Sequence, residues 1–148
     1  MYSDCKGRGE LTEEQIGIIG EVGELLSYLT AHDYATYRIV CSPTSREKAE
    51  RKISEKTSRK LSSDEIETLK KEILDLCREN AIDEKMRYVS ITKKEFLERC
   101  RRLERVLDKL LAEAHGIYEV AVGNYYYYLI FTANQIYHLS LTAEVHLD

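Results

Sequence analysis

The chain has no tryptophan, one proline (Pro43), two methionines, and only five asparagines and glutamines together. One proline and seven glycines exclude collagen-like repetition and argue against a low-complexity disordered chain. No apolar run approaches the roughly 20 residues that cross a bilayer. The opening MYSDCKGRGELTEEQ has no apolar segment of the secretory-leader kind. A cytoplasmic protein without membrane contact is the expectation. The four cysteines, Cys5, Cys41, Cys77 and Cys100, contain no Cys-x-x-Cys pair, so spacing supplies no zinc knuckle. No phosphate-binding loop, dinucleotide fingerprint, nucleophile elbow or HExxH motif occurs, so neither a reaction nor a cofactor is read from motifs. Lysine and arginine are absent beyond Lys109.

What is present describes a soluble α+β protein. At 148 residues, 43% hydrophobic and 32% charged, the chain fits a single domain spanning 1–148 with a core of its own. Scarce Asn, Gln and Met beside abundant Glu, Lys, Arg and Ile give a thermophile-like composition. Intracellular disulfides occur in such proteins. Buried reduced thiols are the first expectation for the cysteines, and a bridge from Cys41 or Cys77 to Cys100 is the second.

Four segments open with Ser or Thr followed three residues later by Glu or Gln: Thr12/Gln15, Thr44/Glu47, Ser62/Glu65 and Thr92/Glu95. Each pair can satisfy two backbone donors left free at a helix start. Leu11 with Ile16, Leu61 with Ile66 and Ile91 with Phe96 add hydrophobic staples. Helices are expected over about 12–32, 45–60, 63–82 and 93–115. The last places Phe96, Cys100, Leu103, Leu107, Leu110 and Ala114 on one stripe, stopped by Gly116. The first carries Gly17, Gly20 and Gly23 in one row, which points to another backbone packing closely there.

Strands are expected at 36–42 (TYRIVCS) and 86–92 (MRYVSIT), with a three-stranded antiparallel meander after Gly116. The expected architecture is a mixed or antiparallel sheet packed by helices, with a helical hairpin over about 44–82 projecting between two strands. Without that hairpin the element order is αββαβββ, an order shared by small domains that dimerise. Net charge alternates in blocks, positive over 44–62 and negative over 63–85. The helix SREKAERKISEKTSRK has only Ala49 and Ile53 as apolar anchors, so it is expected outside the core, lying against the acidic helix that follows.

The meander holds the candidate surfaces. Its middle strand, YYYYLIFT, is apolar on both sides, with Tyr125, Tyr127, Leu129 and Phe131 on one and Tyr126, Tyr128 and Ile130 on the other. The second side needs a cover: another helix, a second subunit or a ligand. Gly123-Asn124 and Ala133-Asn134 supply the turns. The last strand alternates strictly, with His138, Glu144, His146 and Asp148 on its wet side.

Three functions follow. The first is a non-enzymatic protein-interaction or regulatory module, self-associating or binding a protein partner through Tyr125, Tyr126, Tyr127 and Tyr128 or the row Gly17, Gly20 and Gly23. The second is a nucleic-acid-associated regulator contacting phosphates through Arg46, Lys48, Arg51, Lys52, Lys56, Arg59 and Lys60. Against it, the tyrosines have no cation on their own strands. The third is a metal-dependent hydrolase built on His138, Glu144 and His146, although neighbours two apart on one strand stand about 7 Å apart and no further ligand cluster completes the set.

Overall fold

A computed structural model describes residues 10–123 and 125–146. Cys5, Asn124, Leu147 and Asp148 lie outside the described residues. The elements are α1 (Glu13–Leu29), β1 (Ala35–Thr44), α2 (Arg46–Glu55), β2 (Thr57–Lys60), α3 (Ser63–Glu79), α4 (Asp83–Met86), α5 (Lys93–Ala112), β3 (Gly116–Val122), β4 (Tyr125–Phe131) and β5 (Ile136–Val145). The strands form one antiparallel sheet in the order β1-β5-β4-β3-β2, so the expected C-terminal meander occupies its centre.

Helix starts follow the local chemistry. Thr12 with Gln15 and Ser62 with Glu65 form reciprocal capping boxes, and Thr92 accepts from the Glu95 amide. The fourth cap is shifted: Ser45, not Thr44, accepts from the Lys48 amide. Thr44 is the last residue of β1, paired with Ile136, so the cap falls to its successor. All three staple pairs join the main core.

Two of the sheet's neighbours in space are distant in sequence. β1 pairs with β5 along its whole length, Ala35 with Val145 through to Thr44 with Ile136, while β2 pairs with β3 at the opposite edge. The chain leaving β1 must therefore cross four strand spacings, about 19 Å, to reach β2. It does so through α2, about 15 Å long, whose buried Ala49 and half-buried Ile53 pack on Val120, Tyr127, Leu129 and Ile136. The return from β2 to β3 runs through α3, α4 and α5 on the other face, where α1, α3 and α5 enclose the main core around Phe96, Leu103, Leu107, Ile117, Ile130 and Tyr137. The Leu11 amide donates to the Tyr137 hydroxyl at 2.7 Å, tying the entry of α1 to β5.

Three expectations change. Residues 44–82 carry two helices but do not project as a hairpin: α2 and α3 lie in clusters on opposite faces of the sheet, separated by β2. The basic helix lies on the sheet rather than against the acidic helix, seated by the fully buried Ala49 and the half-buried Ile53 while most of its other residues stay exposed. Residues 86–92 are not a strand; the one-turn α4 and the bends after it join α3 to α5. There Tyr88 packs on His32 at 4.5 Å, and Lys85 bonds Asp33 and Asn80. The αββαβββ reading goes with that strand. Among the described residues no helix is long and apolar enough to cross a membrane.

Candidate functional site

Alternation along β4 divides the tyrosines between the two faces of the sheet. Tyr128 faces the main core, while Tyr127 belongs to the smaller cluster under α2. Tyr125 and Tyr126, about half exposed, follow the same alternation onto opposite faces. The four tyrosines therefore form no single surface.

On the face beneath α2, residues from three separate expectations meet. Lys52 lies over the Tyr127 ring at 5.1 Å, and His138 stacks on the same ring at 4.4 Å. Burial, and then the positive charge of Lys52, hold the His138 imidazole below its ordinary pKa. Tyr127 is only 6% exposed, so this trio is a packed junction between helix and sheet. Lys48, one turn before Lys52, shares its side of the helix.

Beyond this junction α2 ends its cover and the face opens over β1 and β5. Register places Arg38 opposite Thr142, Val40 opposite Ser140 and Ser42 opposite His138, with Glu144 diagonal to Arg38. Val40 is 40% exposed at the centre of this strip. A groove of about 400 Å³ at its end is lined by Ser27, Thr36, Arg38, Thr142 and Glu144. The strip is small, polar at its margins and apolar at its centre.

Behind the sheet a second cleft, about 180 Å³, lies between α3 and the β2–β4 strands. Arg59 bonds Glu119 at 3.1 Å and also bonds Glu65, while the Tyr128 hydroxyl donates to Glu119 at 3.4 Å. Burial and the neighbouring Glu119 push the Tyr128 phenol up to about 12, which keeps it a proton donor. The Glu65 carboxyl, lowered first by the Ser62 amide and then by Arg59, is occupied by its cap. This is a satisfied network closing the gap between β2 and α3. A third groove, about 420 Å³, flanks the other side of α2 with Ile53, Tyr118 and Phe131 as its floor and Arg46 and His115 at its rim.

The basic set is dispersed by the same geometry. Arg46 pairs with Glu50 and Arg51 with Glu47, Lys52 is on Tyr127, and Arg59 points to the opposite face into its acidic cleft. Among the described residues Lys48, Lys56 and Lys60 have no ion pair. The row of glycines also divides. A Cβ on Gly23 would lie 2.0 Å from the Ile39 carbonyl oxygen, whereas Gly17 and Gly20 face open space. Close backbone packing is therefore real at Gly23 alone.

His138, Glu144 and His146 do not converge. Six residues of extended strand separate His138 from Glu144, about 20 Å, and the His146 ring bonds the Thr36 hydroxyl at 2.6 Å. Among the described residues no group of three His, Cys, Asp or Glu is arranged to hold a metal ion. The open strip on β1 was the feature sequence reasoning missed. Its only local signal was the alternation that sets polar Thr36, Arg38 and Ser42 on the side of Val40, which says that this side is wet but not that it adjoins His138 and Ser140. No protein-family model, curated protein or solved structure matches the chain.

Proposed function

We propose that the protein is a non-enzymatic interaction module that self-associates through the open half of the sheet face beside α2. The observation that carries this reading is the half-exposed Val40 on the edge strand β1, with a cation and an anion, Arg38 and then Glu144, following it in one direction along β1 and β5. A twofold contact sets the same patch against itself. An apolar residue with a cation and an anion together on one side of it can pack on its own copy about an axis along the strands, which brings Arg38 beside the partner's Glu144. The half-exposed Tyr125 extends the apolar area toward β4. Sedimentation or light scattering across a concentration series is expected to show a dimer, and Val40→Asp should weaken association at least about tenfold by placing a charge in the interface. A monomer at every concentration removes this reading.

A second reading, a single nucleic-acid strand on the same face, gains from one observation. The tyrosines have no cation on their own strands, yet α2 brings Lys52 within 5.1 Å of Tyr127 and carries Lys48 on the same side. Stacking groups beside cations suit single strands. This reading expects fluorescence anisotropy of a labelled single-stranded oligonucleotide to fall with salt. Reversing both charges, Lys48→Glu with Lys52→Glu, should reduce the slope of log affinity against log salt by roughly 1.4, about 0.7 for each phosphate no longer neutralised. No binding at low salt eliminates it.

A further inference from the structure

The groove on the far side of α2 is opened by a residue without a side chain. Register pairs Gly116 with Phe131 across β3 and β4, so the Phe131 ring has no side chain directly opposite it. The Tyr118 ring, two residues along the same side of β3, leans toward that gap: one of its edge carbons would lie 3.4 Å from a Cβ at Gly116. The two rings meet edge to face, with centroids 5.6 Å apart and planes at 77°. With the half-buried Ile53 on the helix side, they floor a hollow of about 420 Å³. That volume falls within the range of small-molecule sites, roughly 300–1,000 Å³. At the turn from β4 to β5, Thr132 bonds Gln135 through both its backbone and its hydroxyl, which fixes the wall beside Phe131.

Cations from two separate elements border this apolar floor. Spacings of four and three along α2 set Arg46 on one side of the helix with Glu50 and Ile53. Arg46 stands 3.6 Å from Glu50, both well exposed, a contact too long for a hydrogen bond and worth little in water. Lys60 comes from β2, on the same side of the sheet as its register partner Tyr118. Its Nζ would stand 4.0 Å from a Cβ at Gly116, and among the described residues it has no ion pair. The exposed His115 imidazole adds a polar group beside Gly116. With Arg46 and Lys60 against Glu50, the rim is net positive on a chain of formal charge −4.

We propose that this groove binds a small planar anion, an aromatic ring carrying a carboxylate or a phosphate. The ring packs on Phe131 and Tyr118, where offset and edge-to-face contacts between aromatics are favoured. The anionic group reaches Arg46 and Lys60 and accepts charge-assisted hydrogen bonds from them. A bare anion gains nothing from the floor, and an uncharged ring gains nothing from the rim. The site lies on the opposite flank of α2 from the Val40 strip, so it stands whether or not the protein dimerises.

The test titrates the isotope-labelled full chain with naphthoate and, separately, with adenosine monophosphate, using naphthamide and adenosine as their uncharged counterparts. The amide resonances of Gly116, Tyr118 and Thr132 are expected to move with at least one of the anions, at a Kd of about 1 mM or tighter. Its uncharged counterpart should bind at least about tenfold more weakly. Movement with naphthoate alone assigns a carboxylate ligand, and movement with the nucleotide alone a phosphate ester. Arg46→Ala with Lys60→Ala, both at exposed positions, should weaken the anion at least about tenfold and leave the uncharged ring within about twofold. Lys48→Ala, on the other flank of α2, should change neither. The proposal is overturned if neither anion moves these amides at millimolar concentration, if the uncharged counterparts bind as tightly, or if Lys48→Ala weakens binding as much as the double variant.

Discussion

Replacing Gly23 by alanine is expected to lower stability by about 2–4 kcal/mol, whereas the same change at Gly17 or Gly20 should raise it by up to about 1 kcal/mol. The three glycines have equal helix propensity and sit three residues apart in one helix, so local structure predicts equal gains. Their surroundings differ. An alanine methyl at 23 would stand 2.0 Å from the Ile39 oxygen and 2.9 Å from the Ile39 carbonyl carbon and nitrogen. These are backbone atoms of a strand paired along its length with β5, so no side-chain rotation relieves the clash. α1 must move off β1, disturbing Ile19, Val22 and Leu26, which are fully buried. At 17 and 20 nothing lies within 4 Å, so only the helix-propensity gain remains. Chemical denaturation of the three variants measures this directly. A Gly23→Ala protein as stable as the parent would show that α1 does not press on β1 as described.

Ala49→Asp should cost about 2–4 kcal/mol and release α2 from the sheet, while Arg51→Asp, two residues on, should stay within about 0.5 kcal/mol apart from the missing pair with Glu47. Both positions lie on a strongly charged helix, and by composition alone another acid would be unremarkable at either. Ala49 is fully buried against Val120, Tyr127 and Leu129, where a carboxylate is taken out of water and a larger side chain meets a filled cluster. Arg51 is exposed. Detachment of α2 should show as faster amide exchange across Arg46–Glu55 and as separation of Lys52 from Tyr127. Unchanged protection in Ala49→Asp would mean that something other than α2 covers that face.

Features that depend on residues close in the chain were legible. Capping boxes and staples act over three or four positions, and the strand alternation of YYYYLIFT assigned each residue to a face before any partner was known. The cap at Thr44 slipped by one residue because that threonine belongs to a strand whose partner is nearly a hundred positions away. MRYVSIT has strand-forming residues, yet the sheet pairs β2 with β3 and leaves it no ladder, so it turns between two packed helices. β2, Thr57–Lys60, was invisible for the opposite reason. Its four polar residues have no alternation, and pairing with β3 makes them a strand.

The candidate surface divides in the same way. That the middle strand needs cover on its second side follows from apolar residues at both alternating positions, and burial of such a surface is required whatever the fold. What covers it depends on where β1 and β2 lie in the sheet. With those strands at opposite edges, the connecting helix must cross the face, and two apolar residues suffice to seat it. That crossing also brings Lys52 to Tyr127, puts Arg59 on the other side and leaves Val40 uncovered. By itself the sequence determined which residues seek burial and where helices begin, because those are local demands of hydration and hydrogen bonding. Only the tertiary structure decided which demands meet one another, because that depends on strand order, and strand order is settled by contacts between residues far apart in the chain.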